Sequence, residues 1–238
     1  MNDDKNIVDK LDVGEADEFT CDDISTVIFT MATDTRTEKE KMIAGEMHNA
    51  FTPQLLNDRA ACRELIYDFN TTRPNEAEKR DEIIRKLFGQ FGSNSVIETP
   101  FKCDYGYNIY WGENSFANFN LIALDTCPIY VGNYVLLGPD VKLYAATHPT
   151  DPQERLDGVE YGKPIRIGNN VWIGGGTIVV AGATIGDNSV IGAGSVVVKD
   201  IPANVVAVGN PCKVIKHLKE PTRAPNQFQQ LTMFNLQK

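Results

Sequence analysis

The sequence predicts a mainly β fold, a parallel solenoid with a small helical region ahead of it, on three observations. The first is a six-residue period. Counted in sixes, Val131, Leu137, Leu143, Ile167, Ile173, Val179, Ile185, Ile191 and Val197 are all branched aliphatics, in frame across one interruption. The second lies in their neighbours: Gly at 132, 138, 168, 174, 186 and 192, and a small or β-branched residue four places on from each aliphatic. A period of six is neither the 3.6 of a helix nor the alternation of a flat strand. It is that of stacked short strands and turns, each coil burying its aliphatic in a shared core that no single coil could build. Glycine after the aliphatic is expected to serve a sharp turn or a positive φ. The third observation is a run of helix signals between Thr37 and Phe91.

Taken in order, residues 1–36 form an acidic extension. They hold ten Asp or Glu against Lys5, Lys10 and Arg36, so most of the formal net charge of −9 belongs there. The remaining body is near neutral and offers no basic field for nucleic acid or an anionic membrane. We expect the extension to be disordered, with a β-prone segment at Thr26–Met31. Residues 37–94 form the helical region. Thr37 with Glu40 reads as a capping box, followed by Met42, Ile43, Met47 and Ala50 at helical spacing, which carries His48 onto the first helix. A second helix runs from Pro53 or Asp58 to Asp68, with Leu55, Leu56, Cys62, Leu65 and Ile66 inward. A third, capped by Asn75 with Glu78, has Ile83, Ile84, Leu87, Phe88 and Phe91 as its apolar stripe.

The solenoid is assigned to residues 95–218, with early coils of shifting register before Val131, and residues 219–238 are left as a tail. Between Leu143 and Ile167 the repeat breaks into a loop of some 20 residues, and long loops of this kind are commonly functional. It opens with His148, followed by Pro149. An imidazole suits general-base work near neutral pH, so His148 is the candidate base among His48, His148 and His217. Cys21, Cys62, Cys103, Cys127 and Cys212 are scattered, with no C-x-x-C pair, which indicates reduced thiols in a cytoplasmic setting. The first residues lack a secretory apolar segment, and no run is long enough for a membrane span.

Several motifs carry a family resemblance. Asp104-Tyr-Gly-Tyr-Asn108, Ala117-Asn-Phe-Asn120, Leu124-Asp125 with Cys127-Pro128, Thr147-His-Pro149 and Ile167-Gly-Asn-Asn-Val-Trp-Ile-Gly174 occur in this order. Ile185-Gly-Asp-Asn-Ser-Val-Ile-Gly-Ala-Gly194, Lys199-Asp200 and Lys39-Glu-Lys-Met-Ile-Ala-Gly-Glu46 extend the set. Over residues 37–218 the chain resembles the maltose and galactoside O-acetyltransferases of the hexapeptide-repeat superfamily. The resemblance implies a left-handed parallel β-helix, a homotrimer with sites between subunits, acetyl-CoA as donor, a sugar hydroxyl as acceptor, and no metal. It implies His148 as the base. Asn118, Asp104, Asp125 and Arg59 fall at acceptor positions, and Gly175, Ala193, Val198, Lys199, Lys213 and Lys216 at acetyl-CoA positions. The chain departs from maltose-type members in reading His48-Asn49 where they have Tyr-Asp, which bears on acceptor identity. Three alternatives stand beside this reading: the same chemistry on an antibiotic or other small alcohol or amine, a non-catalytic scaffold, and a zinc hydratase built on the same solenoid. The hydratase needs three converging histidines, and the solenoid holds only His148.

Overall fold

The computed structural model describes residues 34–222, and the account concerns the unit that begins at Arg36. Cys21, the expected strand at Thr26–Met31 and most of the 219–238 tail lie outside the described residues.

The helical head opens with α1 (Glu38–Ala44), which carries the expected capping box between Thr37 and Glu40. Gly45 ends it in the left-handed region at φ 80°. The helix therefore stops before Met47, and His48 lies not on a helix but on a two-residue strand, β1 (His48–Asn49). Helix α2 (Pro53–Asn70) buries Leu55, Cys62 and Phe69, while Leu56 faces outward. Helix α3 (Ala77–Leu87) starts one residue after Glu76, not after Asn75. Asn75 makes no cap, and the Glu76 carboxylate instead accepts from the Arg73 amide at 2.6 Å.

The solenoid proceeds coil by coil around three faces. The first coil is β2 (Gln90–Phe91), β3 (Val96–Ile97) and β4 (Phe101–Cys103), so parallel pairing begins five residues before position 95. The second is β5 (Ile109–Trp111), β6 (Phe116–Ala117) and β7 (Leu121–Leu124). The third is β8 (Ile129–Val131), β9 (Leu136–Leu137) and β10 (Lys142–Tyr144). An excursion comes next: β11 (Ala146–Thr147), α4 (Pro152–Leu156) and β12 (Val159–Gly162). The fourth coil is β13 (Ile165–Ile167), β14 (Trp172–Ile173) and β15 (Ile178–Val180). The fifth is β16 (Thr184–Ile185), β17 (Val190–Ile191) and β18 (Val196–Val197). Strand β19 (Val205–Val208) adds a last parallel strand, and β20 (Lys213–His217) pairs with it antiparallel.

Face I stacks β2, β5, β8, β13 and β16; face II stacks β3, β6, β9, β14, β17, β19 and β20; face III stacks β4, β7, β10, β15 and β18. The inward column of face I is Phe91, Trp111, Val131, Ile167 and Ile185, each paired with the next. Steps of six join face I to II and II to III in every coil. Only the step from III back to I varies. It is eight residues from Cys103 to Trp111 and from Ala123 to Val131, 24 from Leu143 to Ile167, and six from Val179 to Ile185. The early coils share the hexad and differ by two residues at one corner, which is why their register shifts in the sequence.

The glycines after the aliphatics do not supply positive φ. That conformation falls two places later, at Asn94, Asn114, Tyr134, Asn170, Asn188 and Asn204 along corner I/II. The glycines are required by close stacking: a Cβ on Gly132 would lie 2.6 Å from the Gly168 carbonyl oxygen, and one on Gly174 2.5 Å from the Ala193 amide. The head closes the first coil. Phe88 packs edge-to-face on Phe101 and leans on Trp111, and the Asn70 side chain both donates to and accepts from the Phe101 backbone at 2.8 Å. Among the described residues no helix is long and apolar enough to cross a membrane.

Candidate active site

The irregular corner, III/I, collects most of the candidate chemistry. Here the chain leaves face III at Asp104–Asn108, at Asp125–Pro128 and in the excursion from Ala145 to Pro164. The excursion is not structureless, despite its length. β12 pairs antiparallel with β11 on one side and with β1 of the head on the other, tying the loop to the helical region. His148 comes directly after β11 and is exposed. Thr147 pairs with Tyr161 and His48 with Glu160, so the last rung of β11 and β12 lies one residue from both His148 and Glu160. Residues opposite one another in an antiparallel ladder share a face.

Asp125 is fully buried, so it makes no acceptor contact of its own in this chain. One carboxylate oxygen, Oδ1, accepts from the Asp104 and Tyr105 amides at 2.9 Å each, and the Asp125 carbonyl accepts from Asn108 at 2.8 Å. Burial pushes its carboxyl up to about 6 despite those two donors. Its structural effect is to fix the turn that presents Asp104. Asp104 is half-buried, and burial first, then the Glu160 charge, raise its carboxyl, with Arg59 and Arg63 pulling the other way. Arg59, from α2, donates to the Tyr105 hydroxyl at 2.6 Å and to the Ala50 carbonyl at 2.6 Å. Glu160 also receives the Thr126 hydroxyl at 3.4 Å. The corner thus presents two carboxylates and a guanidinium, planar groups suited to a ligand rich in hydroxyls. Sequence reasoning misses Glu160 and Tyr105 as site residues. Their signal lies in Val159-Glu-Tyr161, the β-prone triplet inside the loop, and in the tyrosine directly after Asp104.

The other candidates fall outside this cluster. Asn118 stands at corner II/III, half-buried, its side-chain oxygen accepting from the Phe119 amide at 2.8 Å. Gly175 and Ala193 stack above it on the same corner, and a Cβ on Gly175 would lie 3.0 Å from the Pro139 carbonyl oxygen. Val198 and Lys199 are exposed on corner III/I, two coils beyond the excursion. Lys213 and Lys216 are exposed on β20. Face III, with strands of two to four residues and about 10 Å across, separates the two corners. One chain therefore joins Arg59, Asp104 and Asp125 through Tyr105 and the Asp104 turn, places His148 on the same corner, and holds Asn118, Gly175 and Ala193 on another. Among the described residues no three His, Cys, Asp or Glu side chains are grouped to hold a metal ion.

Comparison with known proteins gives consistent results. The family model for the maltose acetyltransferase hexapeptide capping motif matches residues 41–92, and that for the bacterial transferase hexapeptide (six repeats) matches residues 164–199. The chain is 44% identical over 181 residues to the galactoside O-acetyltransferase of Escherichia coli K12, covering 76% of this chain and 89% of that protein. The crystal structure of a maltose O-acetyltransferase from Clostridium difficile 630 is 55% identical, with a TM-score of 0.77 over 78% of this chain and 99% of that one. A hexapeptide-repeat acetyltransferase from Vibrio cholerae complexed with acetyl coenzyme A is 34% identical, with a TM-score of 0.74 over 78% of this chain and all (100%) of that one.

Proposed function

The chain belongs to the maltose and galactoside O-acetyltransferases of the hexapeptide-repeat superfamily, and on that premise we propose that it moves the acetyl group of acetyl-CoA to a sugar hydroxyl with His148 as general base. His148 takes the hydroxyl proton as the oxygen attacks the thioester carbonyl. Collapse of the tetrahedral adduct expels the CoA sulfur, which leaves with that proton as the free thiol. The observation that carries the reading is the company His148 keeps on corner III/I: an exposed imidazole at the mouth of a loop whose β12 strand bears Glu160, near Asp104 and Arg59. Glu160, next to the Tyr161 that pairs with Thr147, is the carboxylate we assign to orienting the imidazole.

The distribution of the remaining residues supports a threefold assembly. Asn118, Gly175 and Ala193 on corner II/III serve the acetyl-CoA and acceptor of the site whose His148 belongs to the neighbouring chain. Face II supplies an apolar outer column for contact, in which Leu136 (37% exposed) pairs with Trp172 (55% exposed), flanked by Phe116 and Val190. Lys213 and Lys216, with Val198 and Lys199, hold the donor, the lysines meeting its phosphates as point charges. The thiols Cys62, Cys103, Cys127 and Cys212, all free, fit a cytoplasmic site of action.

The test is thiol release from acetyl-CoA against a panel of maltose, glucose, galactosides, aminoglycosides and small amines. Release only with a sugar present supports the proposal. Release with amines alone favours the non-sugar reading, and acetyl-CoA hydrolysis with no acceptor rejects direct transfer.

A further inference from the structure

Two cysteines 41 residues apart in sequence meet where the head packs on the solenoid. Cys62 Sγ, on α2, lies 3.5 Å from Cys103 Sγ, the last residue of β4. Cys103 occupies the inward column of face III, where the other coils carry Ala123, Leu143, Val179 and Val197. Cys62 is buried, while Cys103 keeps some exposure. Among the described residues, neither Cys127, whose thiol reaches the Ile43 carbonyl, nor Cys212, beside Ser195, has a second thiol in contact.

We propose that Cys62 and Cys103 are a modification site, a dithiol that closes to an intramolecular disulfide when met by a small disulfide or a hydroperoxide. A disulfide bond is about 2.05 Å long, so thiols already in contact need about 1.5 Å of approach, which side-chain rotation and a small slide of α2 supply. With a glutathione-type disulfide, the Cys103 thiolate attacks one sulfur and releases one small thiol. Cys62 then attacks the Cys103 sulfur of the mixed disulfide and releases the second. Two cysteine protons end on the two released thiols, and the oxidant's disulfide is reduced. Burial and the neighbouring Cys62 hold the Cys103 thiol well above its ordinary range, so the pair stays reduced until such an oxidant is present and closes faster as pH rises.

The bond would act on the acceptor side, a consequence that rests on the function proposed above. Arg59 precedes Cys62 by one helical turn and holds Tyr105, while Cys103 immediately precedes Asp104. Drawing α2 toward β4 moves the guanidinium and the carboxylate together. The acceptor KM should change several-fold, with the acetyl-CoA KM steady.

The experiment uses the full chain exposed to oxidised glutathione, with thiols counted after denaturation and the cross-linked peptides mapped by mass. The expected result is loss of two of the five thiols together, one peptide joining Cys62 to Cys103, little lasting glutathione adduct, and reversal by reductant. Cys103→Ser should abolish the cross-link. In the unaltered protein, protection of the same two thiols by a trivalent arsenical, which bridges neighbouring thiols, gives a second reading free of any folding defect. Five intact thiols, a persistent adduct on one cysteine, or a cross-link to another cysteine each overturn the proposal. If the cross-link forms and the acceptor KM does not move, the modification site stands and the acceptor-side reading falls.

Discussion

Arg59 donates to the Tyr105 hydroxyl at 2.6 Å, joining the head to the first corner of the solenoid across 46 residues of chain. Its other nitrogen holds the Ala50 carbonyl. Arg59→Met keeps the aliphatic stem and removes both bonds. A part-buried hydroxyl that loses its partner costs about 1–3 kcal/mol. We expect the acceptor KM to rise by about tenfold or more, equivalent to about 1.4 kcal/mol or above, with the acetyl-CoA KM within about twofold of the parent. Steady-state kinetics with each substrate varied will decide it. An unchanged acceptor KM would remove Arg59 from the site.

His148→Ala should lower turnover by roughly 10²–10⁴-fold, the usual contribution of a general base. Affinity for acetyl-CoA, measured by calorimetry, should hold, because the donor contacts lie on other residues. His148→Asn should be nearly as impaired, since it keeps hydrogen bonding without basicity. Normal turnover in either variant would refute the assignment.

If the site takes His148 from one chain and Asn118 from its neighbour, two dead proteins should rescue each other. His148→Ala and Asn118→Ala chains, unfolded together and refolded at equal ratio, would rebuild roughly a quarter of the sites around a threefold axis by random mixing. Each variant refolded alone should stay inactive. Absence of rescue in verified mixed assemblies would mean that both residues serve the same chain.

Asp125 gives a pH signature. Its ordinary carboxyl value is 3.8, and burial raises it to about 6 in the fold. Between those values the folded state binds the proton that the unfolded state has released. Stability from this group is therefore present below about pH 4 and is lost as pH rises toward 6, a difference on the order of 3 kcal/mol. Asp125→Asn cannot titrate. Urea midpoints from about pH 4 to 7.5 should show the variant gaining on the parent as pH rises, with the gap levelling above about pH 6 to 7. Parallel curves would contradict the raised value.

How much of this is legible in the sequence depends on whether a feature lives in one coil or between coils. The hexad from Val131 picks out the inward residues because each aliphatic needs only its own strand. The first two coils hide from the same count, since eight residues, not six, separate Cys103 from Trp111 and Ala123 from Val131. Those extra residues are what presents Asp104 and Asp125. Local spacing puts His48 on a helix because Met47 and Ala50 continue the pattern of Met42 and Ile43. The left-handed Gly45 overrides that spacing, and a Cβ there would lie 2.9 Å from the Gly162 carbonyl oxygen. The meeting of His48 with Glu160, and the separation of Asn118 from His148 by a whole face, depend on how the coils close. No local spacing carries that information.

The reversal of β20 has a consequence for how large this molecule can grow. Every parallel strand of face II offers the next one an edge with the same direction and spacing, so a solenoid is a template for its own extension. An open end would accept a strand from another molecule, and that chain would present the same end again, the recipe for a filament. Here the head seals the first coil with Phe88 and Asn70, while among the described residues face II finishes on a strand running backward and carrying Lys213, Lys216 and His217. An incoming parallel strand finds the wrong polarity and a line of basic side chains. Removing residues from Lys213 onward should leave the five coils intact and convert a finite enzyme into one that lengthens end to end.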